Sequence, residues 1–510
     1  MAPFTGFVNG SGQARSPNVN AEQCINFYPD FADGTPKARV WLRPSPGFSE
    51  AYILTGARNH CVGLATIEAR AFAVAGMGFY ELFEDNGQNT LRGTLVLDAD
   101  TTAAQIVSNG IGRQVMVIAG GKGYIFNLDT NVFTQITDAQ FPDPVIWGGF
   151  ADGYFVAVGV NKTQFSFSTL SDGLTWAAAD ISVKSKTTDA IVAAVFDHGE
   201  LLLFGTQTTE AYTNTGDLRY PWTPRPVPLE TGILAPASLA KGKESIFYIQ
   251  GSERGPATIV AAAGFNAVPI GSAAVHQALR DSEHPELARA WFYEDGEHGF
   301  YVLSFDDQTW VYDTLTRVWH ERLLWNAGTG SYLAYQGLCH TYAFGKHLVG
   351  MRGLNPWFAI NDDAIVCEMH DRYSRELPTT ETPQSPSWTI RRVRRCPYVH
   401  AEGRMVFHDR LELDMDTGLA VETLDDPDVA DDALNHYISM RYSDDNGKTW
   451  SAERKAQLGV EGEYGRRVFW TNLGRSRARI YDVIVDGGST NRAVVLGIAG
   501  ADLQVRVGLK

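Results

Sequence analysis

The chain has 510 residues, enough for two to four domains, and its 50 glycines with 11% aromatic residues describe a turn-rich β protein. It carries 43 Lys and Arg against 59 Asp and Glu, a net charge of −16, which argues against tight clamping of DNA through many phosphate contacts. The same acidity would suit a wall that DNA slides past. Five cysteines (Cys24, Cys61, Cys339, Cys367 and Cys396) are odd in number and lack CxxC spacing, so neither a disulfide framework nor a zinc site is signalled. They read as buried thiols of a reducing cytoplasm. The opening MAPFTGFVNGSGQARSP has no signal-peptide pattern, and the mildly apolar stretch 258–275 is broken by Asn266 and Pro269, so no membrane insertion is expected. No cofactor is implied.

In chain order, residues 1–58 hold two strand-like islands, 24–28 and 40–42, joined by a turn at Asp33-Gly34. They are expected to close a ring by pairing with its last strand set, because ring closure must hide an edge. Apolar runs then recur at 71–75, 115–119, 154–160, 201–204, 245–249, 299–303 and 347–351. Their spacing, mostly about 40 to 50 residues, is that of a four-stranded propeller blade. The stretch 149–176 shows the unit: an Asp152-Gly153 turn, an apolar run, then an alternating strand. A lone blade cannot bury both faces, whereas a closed ring can. The fold class predicted is therefore all-β: a β-propeller over 59–376, of about seven blades with six possible, and a C-terminal β-sandwich-like domain. A solenoid or two unrelated sandwiches is the blander alternative.

Insertions are expected around 251–290, with a helix over 273–290. Trp310, Trp319, Trp325, Tyr301, Tyr312, Tyr332, Tyr335 and Tyr342 form an aromatic-dense patch, read first as blade core and second as a sugar-stacking or subunit surface. The Pro-rich segment 377–387 reads as a linker, and 388–510 as the sandwich. There, Arg391, Arg392, Arg394 and Arg395 form one basic knot; Arg475, Arg477 and Arg479 alternate on one strand and would share a face. Either group could grip phosphate or an acidic partner, or pair with the acidic run 425–432, which lacks a calcium-loop register.

Ser443, Asp445, Gly447 and Trp450 fit an Asp box, the hairpin motif of sialidase propellers, and raise a glycan-binding or glycan-hydrolysing alternative. The motif is turn architecture, with a weaker cousin at 171–176. No Ser-His-Asp elbow, paired carboxylates or phosphate loop stands out, and His198, His276 and His298 are isolated, so no catalytic residue is expected.

The segment SPNVNAEQCINFYPD (Ser16, Asn18, Asn20, Gln23, Asn26, Phe27, Tyr28, Pro29, Asp30), followed by Pro46-Gly47, resembles the opening of the tail nozzle family of short-tailed bacteriophages, also called tail hub or packaged-DNA stabilisation proteins. Its closing signature is similar to the Asp box and to Asn472-Leu473-Gly474-Arg475 through Arg479, with Asn472 standing where an arginine is usual. The resemblance implies a non-enzymatic protein of the virion tail, made in the bacterial host cytoplasm and assembled as a homo-hexamer. It implies partners as well: the tail adaptor, a needle or plug, tailspikes or fibres, and packaged double-stranded DNA passing through the lumen without sequence-specific contact.

Overall fold

The computed structural model describes residues 2–508 except 56–59, 86, 97–102, 185, 218–220, 252–254, 264–265, 327–328, 353–362, 372–389, 419–436, 460–461 and 487–496. The predicted linker 377–387, the acidic run 425–432 and the start of the strand expected at 493–499 lie outside the described residues.

Each of the seven apolar runs is the second strand of an antiparallel sheet, or lies within it, and these sheets are the blades: 61–94, 105–135, 145–183, 191–224, 232–269, 289–321 and 337–370. The runs are continuous rather than alternating because this strand is covered on both faces. In blade 1, Phe72 and Val74 pack toward blade 2, while Ala71, Ala73 and Ala75 pack toward blade 7. Seven apolar clusters, one per gap between blades, carry the ring all the way round to the 7–1 gap. A fully buried Phe such as Phe72, stacked on Phe79 and edge-on to Phe126, contributes about 2–3 kcal/mol. The third strands of blades 2, 4 and 6 end on Asn127, Asn214 and Asp313, whose side chains accept backbone N–H groups of the following turn.

Five strands precede the first blade: β1 (Ala2–Pro3), β2 (Gln23–Ile25), β3 (Phe27–Phe31), β4 (Val40–Pro44) and β5 (Gly47–Leu54). The ring is closed by β5, which lies antiparallel to Ala364–His370 as the outermost strand of blade 7. The island at 24–28 takes a different place from the ring-closing one expected for it. There β2 pairs in parallel with the outer strand of blade 6 (Ile25 beside Glu321) and antiparallel with Arg391–Arg395. Blade 6 therefore runs through β2, without a break, into one sheet of the sandwich, formed by Arg391–Arg395, Ala478–Asp486, Tyr437–Ser443 and Arg454–Gln457. The second sheet joins β3, β4, Ile498–Val507, Val406–Met415 and Val468–Thr471. Phe7, Cys24, Phe27 and Leu42 share its core with Leu411, Ile438, Trp470, Tyr481 and Ile498. Both ends of the sequence thus build the sandwich.

The helix expected over 273–290 is α1 (Ala273–Asp281), started by Ser272, whose Oγ accepts from Val275 N. It stops at Ser282, whose backbone is extended (φ −66°, ψ 138°), and only a 3-10 turn at Pro285–Leu287 follows. Cys339 is half-buried, not buried like the other four thiols.

Ring closure has a tight spot. A Cβ at Gly350 would fall 2.6 Å from Cys339 Sγ and 2.7 Å from Cys61 Sγ, between blades 7 and 1. Gly350→Ala should cost about 1–3 kcal/mol in urea denaturation, partly recovered in the double variant with Cys339→Ala. A neutral single variant would contradict this packing.

Candidate functional site at the propeller–sandwich joint

At the joint the chain turns through Asn26, which is buried at φ 56°, a left-handed conformation that Asn tolerates better than other side chains. Its backbone N–H donates to Glu321 O at 2.8 Å, and its backbone O accepts from Ser45 N at 3.0 Å. The carboxamide Nδ2 donates to Leu323 O (2.8 Å) and Arg391 O (3.0 Å), while Oδ1 accepts from Leu323 N (3.0 Å). One side chain thereby satisfies backbone groups of Leu323–Asn326, the strand after blade 6, and of the sandwich, as a peptide unit would. Beside it, Ser11 Oγ donates to Glu321 Oε1 at 2.8 Å, and burial pushes that carboxyl up to about 7.

The first arginine knot is an internal frame. Arg394 is fully buried and directs its donors to Phe7 O, Gly10 O, Gln23 O, Gly6 O and Glu22 Oε2, at 2.6 to 3.2 Å. It wraps the N-terminal segment around one guanidinium. Arg392 donates to Ser45 O, and Arg391 pairs with Glu453 at 2.6 Å over the Trp325 ring. Arg395 and Arg441 share Asp482 and both stack on Trp450, each 4.6 Å from the ring centre.

Arg475, Arg477 and Arg479 do not share a face. Arg475–Ser476 pairs with Val406 and Phe407 in one sheet, while Ala478–Asp486 belongs to the other. Arg479 is buried against Asp444 (2.6 Å), whereas Arg475 and Arg477 are exposed, Arg477 donating to Gly403 O at 2.6 Å.

The Asp box is a closed hairpin. Ser443 Oγ accepts from Gly447 N, Asp445 takes the Thr449 amide and hydroxyl, and Trp450 Nε1 donates to Gly447 O. The cousin at 171–176 makes a similar clasp, with Thr175 Oγ1 on Asp172 and Trp176 Nε1 on Gly173 O. The structure brings the N-terminal signature to this hairpin: the exposed turn Ser16, Pro17, Asn18 and Val19 touches it through Tyr398, whose hydroxyl lies 2.7 Å from Pro17 O and 3.1 Å from Asn446 Oδ1. Asn20 Oδ1 accepts from Glu22 N, and Gln23 Nε2 donates to Gln13. Pro29 lies in β3 opposite Leu42, and Gly47, after Pro46, opens the ring-closing strand against His370. Gly474, at φ 78°, turns the chain into Arg475.

Sequence reading missed one charge network. His298 Nε2 is 2.9 Å from Asp30 of β3, and its Nδ1 is 2.9 Å from Asp313 of blade 6. Burial opposes its protonation, but the two carboxylates outweigh it and push the imidazolium up to about 9. Asp30 is also burdened by burial, yet His298 and Arg43 hold it below the ordinary carboxylate range. The only signal in the sequence is Asp30, the last residue of the opening motif; nothing links it to a histidine 268 positions away. His198 pairs with Asp197, and His276 lies on α1 with Nε2 unpartnered among the described residues. Among the described residues no three His, Cys, Asp or Glu gather to hold a metal.

The fold and the joint define a propeller–sandwich scaffold braced from within. Residues 7–355 match the family described as bacteriophage P22 Gp10, beta-propeller, and residues 391–485 the one described as bacteriophage P22 Gp10, beta-sandwich. The chain belongs to this family of phage structural proteins, the tail nozzle or packaged-DNA stabilisation proteins of podoviruses. A search of curated proteins finds no match. Solved structures with partial likeness include a chain of the mitotic checkpoint complex (8% identity, 66% of this chain and 97% of that one, TM-score 0.39). Others are PorZ of Porphyromonas gingivalis (11%, 79% and 46%, 0.37) and the N-terminal domain of Nup159 (9%, 68% and 99%, 0.35).

Two measurements test the joint. Asn26→Ala should cost about 3 kcal/mol in chemical denaturation, since it strands buried backbone groups, and Asn26→Asp at least as much, because a carboxylate would face two carbonyl oxygens. A loss below about 1 kcal/mol would contradict the assignment. Because the folded-state pKa of His298 lies above the free value of about 6.5, its contribution is complete below that pH and disappears as pH rises through about 9. The stability gap between wild type and His298→Gln should therefore shrink from pH 6.5 to 9.5.

Proposed function

We propose that this chain is a non-enzymatic subunit of the tail nozzle, six copies forming a ring that extends the DNA channel below the portal and its adaptor. In this role it helps to retain the packaged genome and docks the needle or plug and the spikes or fibres. The observation that carries the reading is the family match over both the propeller and the sandwich. Physical features support it. A sheet continuous from blade 6 into the sandwich resists bending between the two, and a net charge of −16 keeps the average surface from holding polyanionic DNA.

Contacts to partners fall to exposed groups in this proposal, since buried arginines with satisfied donors are not free to meet phosphate. The exposed turn Ser16, Pro17, Asn18 and Val19 beside the Asp box, together with Arg477, is the candidate surface; Val19 is 73% exposed. The Asp box does not advance the hydrolase alternative, because its polar groups are spent on its own hairpin.

Mixed with a portal–adaptor complex, the purified chain should form a ring at the adaptor's distal end in negative-stain images. Val19→Asp with Arg477→Glu should weaken that attachment at least tenfold while shifting stability by no more than about 0.5 kcal/mol. A chain that stays monomeric and ignores the complex would overturn the proposal.

A further inference from the structure

One face of the ring carries a cavity of about 620 Å³ where blades 5, 6 and 7 meet, lined by the ends of their inner strands and the turns between them. That volume falls in the range of small-molecule sites, roughly 300–1,000 Å³. One wall is aromatic. Tyr342, 56% exposed, meets His347 edge-on at 5.0 Å; His347 lies 5.2 Å from His340; and His340 lies 5.5 Å from Tyr293. His340 Nε2 and His347 Nδ1 are 3.0 Å apart, within hydrogen-bond distance, and burial pushes both imidazoles below their ordinary range.

The other walls carry charges left without a hydrogen bond or ion pair among the described residues. Lys243 and Glu294 are exposed, and Asp295 is half-buried. Such groups, held at the mouth of an aromatic cavity, are available to a ligand.

The charge pattern decides what kind of ligand. An anion would meet Glu294 and Asp295, and a cation would meet Lys241 and Lys243. A cation would find less than the usual attraction in the aromatic wall too, because Tyr293 already serves a buried one. Arg322 lies fully buried behind it, 5.3 Å from the ring centre, with a guanidinium nitrogen hydrogen-bonded to the Tyr293 hydroxyl. A wholly apolar ligand would strip water from three charges without replacing their hydrogen bonds. What remains is a neutral molecule with one apolar face and many hydroxyls, able both to donate to carboxylates and to accept from an ammonium.

We propose that this cavity binds a neutral glycan, one sugar ring stacked on Tyr342 and its hydroxyls held by Lys243, Glu294 and Asp295. The site is remote in sequence from the Asp box and needs no catalysis; it is a recognition pocket, and it stands independently of the nozzle reading. Two features suit it to sampling a surface. It opens on an axial face of the ring, and its charged groups lie at strand ends and turns there: Lys243 on the turn before Ile246–Gly251, Glu294 and Asp295 as the last two residues of Arg289–Asp295.

The full chain is titrated with methyl glycosides of glucose, galactose and N-acetylglucosamine, observed by saturation-transfer NMR, with glucosamine and N-acetylneuraminic acid as charged controls. At least one neutral glycoside should bind saturably, and more tightly than either control. Tyr342→Ala and Asp295→Asn should each weaken it about tenfold or more, with melting temperatures unchanged for the exposed Tyr342. Absence of saturation with every neutral glycoside overturns the proposal, as does binding that survives both substitutions or favours a charged sugar.

Discussion

Everything else in the molecule depends on a single buried carboxamide. At Asn26 three pieces of chain far apart in sequence, around residues 45, 323 and 391, converge on one residue whose backbone and side chain satisfy them together. No apolar residue can do this, because each peptide group left without a partner there would cost about 1–3 kcal/mol. No other polar side chain does it as well: aspartate lacks the donors, and glutamine accepts the left-handed backbone less readily. The propeller can close because β5 leaves this point in the right direction, and the sandwich can assemble because β2 has already extended blade 6.

Around that residue the arginines act as fasteners rather than as a surface. Arg394 gathers carbonyl oxygens of the N-terminal segment, and Arg395 and Arg441 clamp Asp482 beneath Trp450. A buried guanidinium without partners would be very costly, so each such position commits the chain to one arrangement of its neighbours. Arg322 shows the same logic with aromatic rings, lying among Tyr293, Phe300 and Tyr335. The joint is stiff because its charges have nowhere else to go.

This explains what could and could not be read from the sequence. The blades were legible because a strand covered on both sides must be apolar throughout, and that pattern repeats at blade length. The place of β2 was not legible: three residues, Gln23–Ile25, carry no periodicity, and their pairing is decided by Asn26 and Glu321, almost 300 positions apart. Alternation suggested that Arg475, Arg477 and Arg479 would share a face. It failed because the chain changes sheets between Ser476 and Ala478, a switch that local pattern does not record. The aromatic-dense patch divided by depth: Tyr301, Tyr312, Trp310 and Trp319 fill the gap between blades 5 and 6, and Tyr342 alone of the group stands more than half exposed among the described residues.

The path of the chain has a consequence for biosynthesis. Strands β1, β2 and β4 find partners in 391–507, β3 pairs with β4, and β5 finds its own partner in 364–370, so strands made first wait for strands made several hundred residues later. At roughly 5–20 residues per second the delay before ring closure is about 15 seconds to a minute, during which blades can stack but the ring cannot lock. A nascent subunit therefore exposes an open seam until residues 364–370 have been made, and no chain shorter than that can lock its ring.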